Sequence, residues 1–254
     1  MKSRTALLVL AILVVAGGAA AYLLFLRGDN VAPLALPSAG PSAVAAASAS
    51  APSGSADPST GAPSLAPASG SAVGAIAGTW TIGPDSVVGY RVRERLANLS
   101  ADSDAVGRTD KITGSATITG SGSALTVSAA DFSVDMTTIT SDRDMRDNRL
   151  RRDGIETDTF PTATFTLTTP LVVPADATNG GQVTVTLQGD LTLHGVTKAV
   201  DIPAKAQLSG SLIQIAGSLT FPFSDYAINA PNIAGFVSVE ENGTLEFLVT
   251  LTKA

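Results

Sequence analysis

The chain has 254 residues, 22 acidic and 16 basic side chains, and a formal net charge of −6. An acidic protein gains nothing from counterion release, which excludes nucleic acid as a natural partner. The absence of cysteine excludes disulfides, thiolate nucleophiles and Cys-based metal sites, and one histidine cannot supply the ligand set of a zinc site.

The charge is unevenly spread. Lys2 and Arg4 precede an uncharged run from Thr5 to Leu26, closed by Arg27. About 22 residues at about 1.5 Å each span roughly 33 Å as a helix, enough to cross a hydrocarbon core. Residues 1–27 are therefore expected to form a transmembrane anchor, with Lys2 and Arg4 on the cytoplasmic side and the cytoplasmic membrane as a partner. A cleaved signal peptide is the alternative, with Ala6–Val15 as its apolar core and the small residues Gly17–Ala21 as its cleavage region. Against it, the apolar run resumes at Tyr22–Leu26. Both readings place the rest of the chain outside the cytoplasm: a cell-membrane protein in the first case, a secreted one in the second.

Residues 28–77 are low-complexity Ala, Ser, Pro and Gly, with Asp29 and Asp57 as their only charges. Scattered prolines break helix and sheet, and no periodic apolar face exists to be buried. A disordered linker is expected, with an r.m.s. reach of roughly 40 Å.

From residue 78 to 254 the pattern changes to period two. Val88, Tyr90 and Val92 share one face of a strand, with Arg91 and Arg93 on the other. Ala130, Phe132, Val134 and Met136 alternate likewise, as do Ala163, Phe165 and Leu167, then Val183, Val185 and Leu187. Leu245, Phe247, Val249 and Leu251 close the series. Thr and Val dominate, as half-buried strands favour. Turn signals at Gly120-Ser-Gly122, Asn179-Gly-Gly181, Ser209-Gly210 and Asn242-Gly243 separate the runs. Short, regularly spaced strands indicate a sandwich or a closed antiparallel barrel. The exception is Ser141–Asp153, without alternation. Ser141 with Asp144 three positions on fits a capping box, so a short helix ending near Gly154 is expected.

Several segments then carry a resemblance. Thr79-Trp80-Thr81-Ile82-Gly83-Pro84-Asp85-Ser86, the Thr140–Leu150 stretch with Arg146-Asp147, Phe160-Pro161-Thr162-Ala163-Thr164-Phe165, Gly189–Lys198 and Pro222–Ile228 stand in one order. Over residues 78–254 the sequence resembles the YceI-like family, extracytoplasmic proteins with a lipocalin-like barrel that bind polyisoprenoid or related lipids. The resemblance implies an all-β, antiparallel lipocalin-like β-barrel with a short helix, here preceded by a transmembrane helix and a disordered linker. Two positions depart from the family pattern: Glu94 and Arg149 stand where many members carry histidine.

The resemblance implies an apolar ligand, isoprenoid or quinone-like, in the barrel lumen. Val88, Tyr90, Val92, Phe132, Val134, Ala163, Phe165, Phe221 and Phe247 are the candidate wall residues, and ordinary core is the competing reading for each. Arg146 and Arg149 are candidate headgroup contacts, because guanidinium suits a phosphate. Their alternative is a solvated helix with internal ion pairs. No cofactor or metal is expected. His194 is read as a turn histidine, since no Gly-x-Ser-x-Gly elbow accompanies it. The function expected is binding, storage or transport of an apolar lipid. A cell-surface interaction or stress module with a filled core is the alternative, and an enzyme acting on such lipids ranks below both.

Overall fold

The computed structural model describes residues 31–37, 76–96, 102–122, 124–230 and 237–254. The apolar run Thr5–Leu26 lies outside them, and no described helix is long and apolar enough to cross a membrane.

The strands are β1 (Gly78–Ile82), β2 (Val87–Leu96), β3 (Ser103–Thr109), β4 (Ile112–Ser121), β5 (Ala124–Asp135), β6 (Thr140–Ser141), β7 (Thr162–Leu167), β8 (Leu171–Val172), β9 (Val183–Leu193), β10 (Val196–Ser209), β11 (Leu212–Pro222), β12 (Val237–Val239) and β13 (Asn242–Lys253). All pairings are antiparallel. They run β1-β4-β5-β7-β9-β10-β11-β13, and β13 returns to β1. This closes an eight-stranded barrel of the expected all-β, lipocalin-like kind. Helix α1 (Asp144–Arg149) and a π-helical turn over Leu150–Gly154 interrupt the strands where a short helix was expected.

Closure depends on a kink between β1 and β2. On one side β13 pairs with β11 from Asn242 to Thr252. On the other it pairs first with β2, Thr244–Leu248, and then with β1, Leu251–Lys253. Between them, Gly83 N–H donates to Thr250 O at 2.7 Å, and Thr250 N–H donates to the Ser86 hydroxyl at 3.0 Å. Ser86 is buried, and its hydroxyl donates back to Gly83 O at 2.9 Å. The backbone groups at the kink are thus paired although no strand runs through it.

A register shift near Thr117 and Ile118 reconciles the apolar pattern of β5 with one interior. Ala129 pairs with Thr117 but Val127 with Ile118, leaving Ser128 as an extra residue. The bulge turns Leu125 and Val127 to the same side as Ala130, Phe132 and Val134 despite their odd spacing.

The core falls into two clusters. One holds Ile76, Trp80, Ile118, Leu125 and Leu251 near the β1 end, and the other Met136, Ile139, Leu193, Tyr226 and Ile228. The Trp80 indole donates to Ile76 O at 2.8 Å. Ile76 and Ala77 therefore belong to the barrel, two residues ahead of the boundary expected at 78. Val31–Pro37, assigned by sequence to the linker, lies against the barrel with Leu36 buried.

Two local expectations need correction. Ser141 does not cap the helix: Arg143 occupies the N-cap position without a side-chain bond. Ser141 sits in β6, where its N–H donates to Asp147 Oδ1 at 3.0 Å and its hydroxyl to the same oxygen at 2.6 Å. Asn242-Gly243 is not a turn but the start of β13, opposite Phe221 and Pro222, and a Cβ on Gly243 would stand 2.6 Å from the Phe223 ring.

Leu125 is fully enclosed in the β1-end cluster. Leu125→Ala is expected to cost about 2–5 kcal/mol of folding stability, measured by chemical denaturation, because rigid paired strands cannot collapse onto the void. A loss well under 1 kcal/mol would contradict a well-packed closed end.

Candidate functional site

Between the two clusters the lumen is open. A cavity of about 350 Å³ lies inside the barrel. All nine candidate wall residues line it: Val88, Tyr90 and Val92 from β2, Phe132 and Val134 from β5, Ala163 and Phe165 from β7, Phe221 from β11 and Phe247 from β13. Leu187, Leu191 and Leu193 of β9 complete the wall, together with Ile215 and Leu245. A smaller cavity of about 110 Å³ lies toward Ile76, Leu167 and Leu251. Phe132, Phe165, Leu187 and Ile215 border both, so these four side chains stand between the two spaces. Small residues make the room: Ala105, Ala163 and Gly243 are part of the larger lining.

The helical insertion forms the rim. Arg143, Met145, Arg146, Arg149, Leu150 and Ile155 all border the large cavity. Met145 is 84% exposed, an apolar side chain left in solvent at the mouth. Arg146 reaches Glu94 on β2 through two bonds, Nη2 to Oε2 at 3.0 Å and Nε to Oε1 at 3.3 Å, and it also pairs with Asp142. Burial works against its charge, but these carboxylates outweigh that and hold its pKa above the ordinary arginine value. The next residue, Asp147, is buried and accepts the Ser141 bonds described above. Arg146 and Asp147 thus fasten the helix to β2 and β6. Arg149 borders the cavity from an exposed position and has no carboxylate partner among the described residues. Of the two arginines, Arg149 is the one with uncommitted donors.

One polar group interrupts the apolar wall. The Tyr90 ring lies over Gly107, where a Cβ would meet ring carbon at 2.3 Å. Its hydroxyl is buried with no hydrogen-bond partner among the described residues. Burial pushes its pKa well up, Arg146 pulls the other way, and Asp147 and Glu94 add to the rise.

A family model for the YceI-like domain matches residues 80–251, more than half of the sequence. The chain belongs to the YceI-like family. Among solved structures it is similar to a polyisoprenoid-binding domain from Saccharophagus degradans implicated in plant cell wall breakdown, at 20% identity and a TM-score of 0.54, over 70% of this chain and 99% of that one. It is similar also to BcnA of Burkholderia cenocepacia, at 18% identity, TM-score 0.48, over 65% and 95% of the two chains. The YceI protein of Campylobacter jejuni matches at 17% identity, TM-score 0.45, over 58% and 85%. No curated protein matches the sequence.

The YceI-like segments have local physical reasons. Gly189–Lys198 forms the β9–β10 hairpin, whose two central residues, His194 and Gly195, both take positive φ, as a two-residue turn between twisted strands favours. A Cβ on Gly189 would meet the Phe165 ring at 2.5 Å and Thr166 O at 2.4 Å. His194 is a turn residue. Its Nδ1 lies 2.9 Å from Tyr226 O, and its ring stands edge-on to Phe160 at 4.4 Å. The acidic residues of the insertion form no group of three that could hold a metal, among the described residues. Sequence reasoning missed Glu94 as the partner of Arg146, although the alternation Val88–Tyr90–Val92 continues to it. It also missed Tyr226 of the upper core, which no periodic run contains.

Tyr226 is almost wholly enclosed, and burial, aided by Asp225, pushes its phenol up to about 12. Unfolded tyrosine ionises near 10. Between those values the unfolded state holds fewer protons than the folded one, so stability falls as pH rises from about 10 toward 12 and is unaffected by this group below 10. Phenolate absorbance in an alkaline titration should show Tyr226 ionising about two units late and Tyr90 later still, each assigned by its Phe variant. Ionisation of both near 10 would contradict their burial.

Proposed function

We propose that the lumen binds an apolar lipid, an isoprenoid or quinone-like chain, and that the protein stores or carries it outside the cytoplasmic membrane rather than transforming it. The observation that carries this reading is the open apolar cavity of about 350 Å³ in a barrel small enough to be filled by its own side chains. Its size falls in the range of ligand sites, and its lining is apolar with a few polar groups at one end. Burial drives affinity, each methylene contributing roughly 0.8 kcal/mol. The polar end of the ligand belongs at the rim, where, among the described residues, Arg149 has no carboxylate partner and the Tyr90 hydroxyl no hydrogen-bond partner. Membership of the YceI-like family and the fold shared with the polyisoprenoid-binding domain of Saccharophagus degradans support the ligand class. No nucleophile–base pair faces the cavity among the described residues, which supports binding over turnover.

The lumen is tested by Ala163→Trp. Ala163 lines the cavity and is itself buried, so the indole has to occupy ligand space. Native mass spectrometry of the parent should show a co-purifying apolar mass that the variant lacks, with the melting temperature of ligand-free protein nearly unchanged. A clear loss of stability, of about 1–3 kcal/mol from overpacking, with no lipid in the parent, would favour an interaction module with a solid core.

We also propose a single pass through the cytoplasmic membrane by Thr5–Leu26, with the barrel outside. The support is the length of that run and the cations Lys2 and Arg4 before it. Protease added to intact, wall-stripped cells should release the barrel. A barrel protected until lysis would overturn the topology, and an N-terminus near Tyr22 would replace the anchor by a cleaved signal.

A further inference from the structure

The outer wall of the barrel holds an ionised group where alternation calls for a solvent-facing one, and the group is buried. Glu246 is 2% exposed. It lies on β13 opposite Gly89 of β2, where a Cβ would stand 2.8 Å from the Arg108 side chain, so the missing side chain lets Arg108 lie across β2. Arg108 of β3 reaches Glu246 Oε1 through Nη2 at 2.9 Å. Arg91 of β2 reaches Oε2 at 3.4 Å and Asp104 at 3.1 Å. The two guanidiniums have donors left over, and these go to the backbone of Val31–Pro37. Arg91 Nη2 donates to Val31 O at 2.9 Å, and Arg108 Nη2 to Ala32 O at 2.6 Å. Leu34 N–H donates to Glu246 Oε2 at 3.4 Å, and Leu36 is buried. One short extended segment thus receives donors from two arginines, gives one to the carboxylate, and buries an apolar side chain just beyond.

We propose that Arg91, Arg108 and Glu246 form a docking clamp for Val31–Leu36, fixing the start of the extracytoplasmic chain to the outer wall and shortening the tether between membrane and barrel. This rests on the reading of Thr5–Leu26 as a membrane span. Without the clamp, roughly fifty residues separate the span from β1, and the barrel explores an r.m.s. distance of roughly 40 Å. With it, Gly28, Asp29 and Asn30 are the residues between Arg27 and the docked segment. Three residues extend at most about 10 Å. Ile76, at the far side of the Ala- and Pro-rich stretch, is packed in the β1-end core. The barrel is held at the bilayer surface with β2, β3 and β13 toward it. Those strands supply Val92, Ala105 and Thr244 to the cavity lining, so an apolar ligand passing between bilayer and lumen has a short path.

The absence of cysteine makes a single introduced one a unique label site. Ala35 is exposed beside the clamp, so the probe is a nitroxide on Ala35→Cys in the full-length protein, reconstituted in phosphatidylethanolamine–phosphatidylglycerol vesicles. The label should give a motionally restricted spectrum. Leu36→Asp, which changes only the docked segment and leaves the barrel wall intact, should release it to fast motion, and Leu36→Ile should not. A fast spectrum in the parent, or a slow one that Leu36→Asp leaves unchanged, overturns the clamp. A second arm reads the tether. A fluorophore on Thr169→Cys, an exposed site, should transfer energy to acceptor lipid, and Leu36→Asp should lower that transfer by about two-fold or more as the longer tether takes over. A freed label with unchanged transfer would overturn the short tether. A restricted label with no transfer in any variant would leave the clamp standing and remove the membrane span instead.

Discussion

The division of one edge of β13 between two strands shapes the whole molecule. Because β1 takes the end of that edge and continues to β4, the barrel is fully closed there, and Trp80, Ile118, Leu125 and Leu251 pack its interior down to the smaller cavity. Because β2 takes the beginning of the edge and leads to β3, the other end follows a different path. β3 is joined onward only through the two residues of β6. The stretch from Met136 to Gly154 therefore covers that end with little strand ladder beyond β6, mostly as helical turns. A closed end and a helix-covered end follow from the same kink, and the larger cavity lies between them.

The helix-covered end is held by polar bonds, and their arrangement matters more than their number. Exposed ion pairs contribute little individually, typically under about 1 kcal/mol. The pair between Arg146 and Glu94 differs in being two-pronged and mostly shielded, with side chains 15% and 14% exposed. Asp147 points the opposite way, into Ser141. Two successive side chains thus anchor one short helix to two strands, which fixes where Met145, Arg149 and Leu150 stand relative to the lumen. The same division of labour appears on the outer wall, where Arg91 and Arg108 meet both a buried carboxylate and backbone carbonyls. Removing one member of such a buried set leaves the others uncompensated, which is costlier than the net contribution of the set suggests.

The barrel and its inward faces were legible in the sequence because strand alternation is a property of backbone geometry: once Val88 faces inward, Tyr90 and Val92 must follow. That is why Val88, Tyr90, Val92, Phe132, Val134, Ala163, Phe165 and Phe247 line the larger cavity, while Ala130, Leu167, Val183, Val185 and Leu251 of the same series line the smaller one. What escaped were features set by long-range partners. Ser141 has the spacing of a cap, but pairing in β6 and the Asp147 carboxylate claim its polar groups first. Asn242-Gly243 has the composition of a turn, but the space beneath the Phe223 ring calls for glycine inside a strand. The docked segment was illegible for a different reason. Its hydrogen bonds use the backbone of Val31, Ala32 and Leu34, so nothing in the side chains of an Ala- and Pro-rich stretch announces them.

The persistence of the cavity is itself a consequence of the barrel. A void in a helical core can shrink when helices slide together, but closing this one would require hydrogen-bonded neighbours around the ring to change register, and each one-residue slip would turn an apolar face outward. The side chains cannot fill it either. Ala105, Ala163 and Gly243 are too small, and Phe132 and Phe165 are fixed in place as directly paired residues of β5 and β7. The cavity is thus a standing loss of dispersion contacts that the wall cannot relieve by relaxing. An apolar chain entering it recovers those contacts without reorganising the protein, and hydrophobic transfer adds to the gain. On the proposed function, occupancy and folding stability are coupled, since a ligand that binds only the closed ring stabilises it by an amount set by its concentration relative to its Kd.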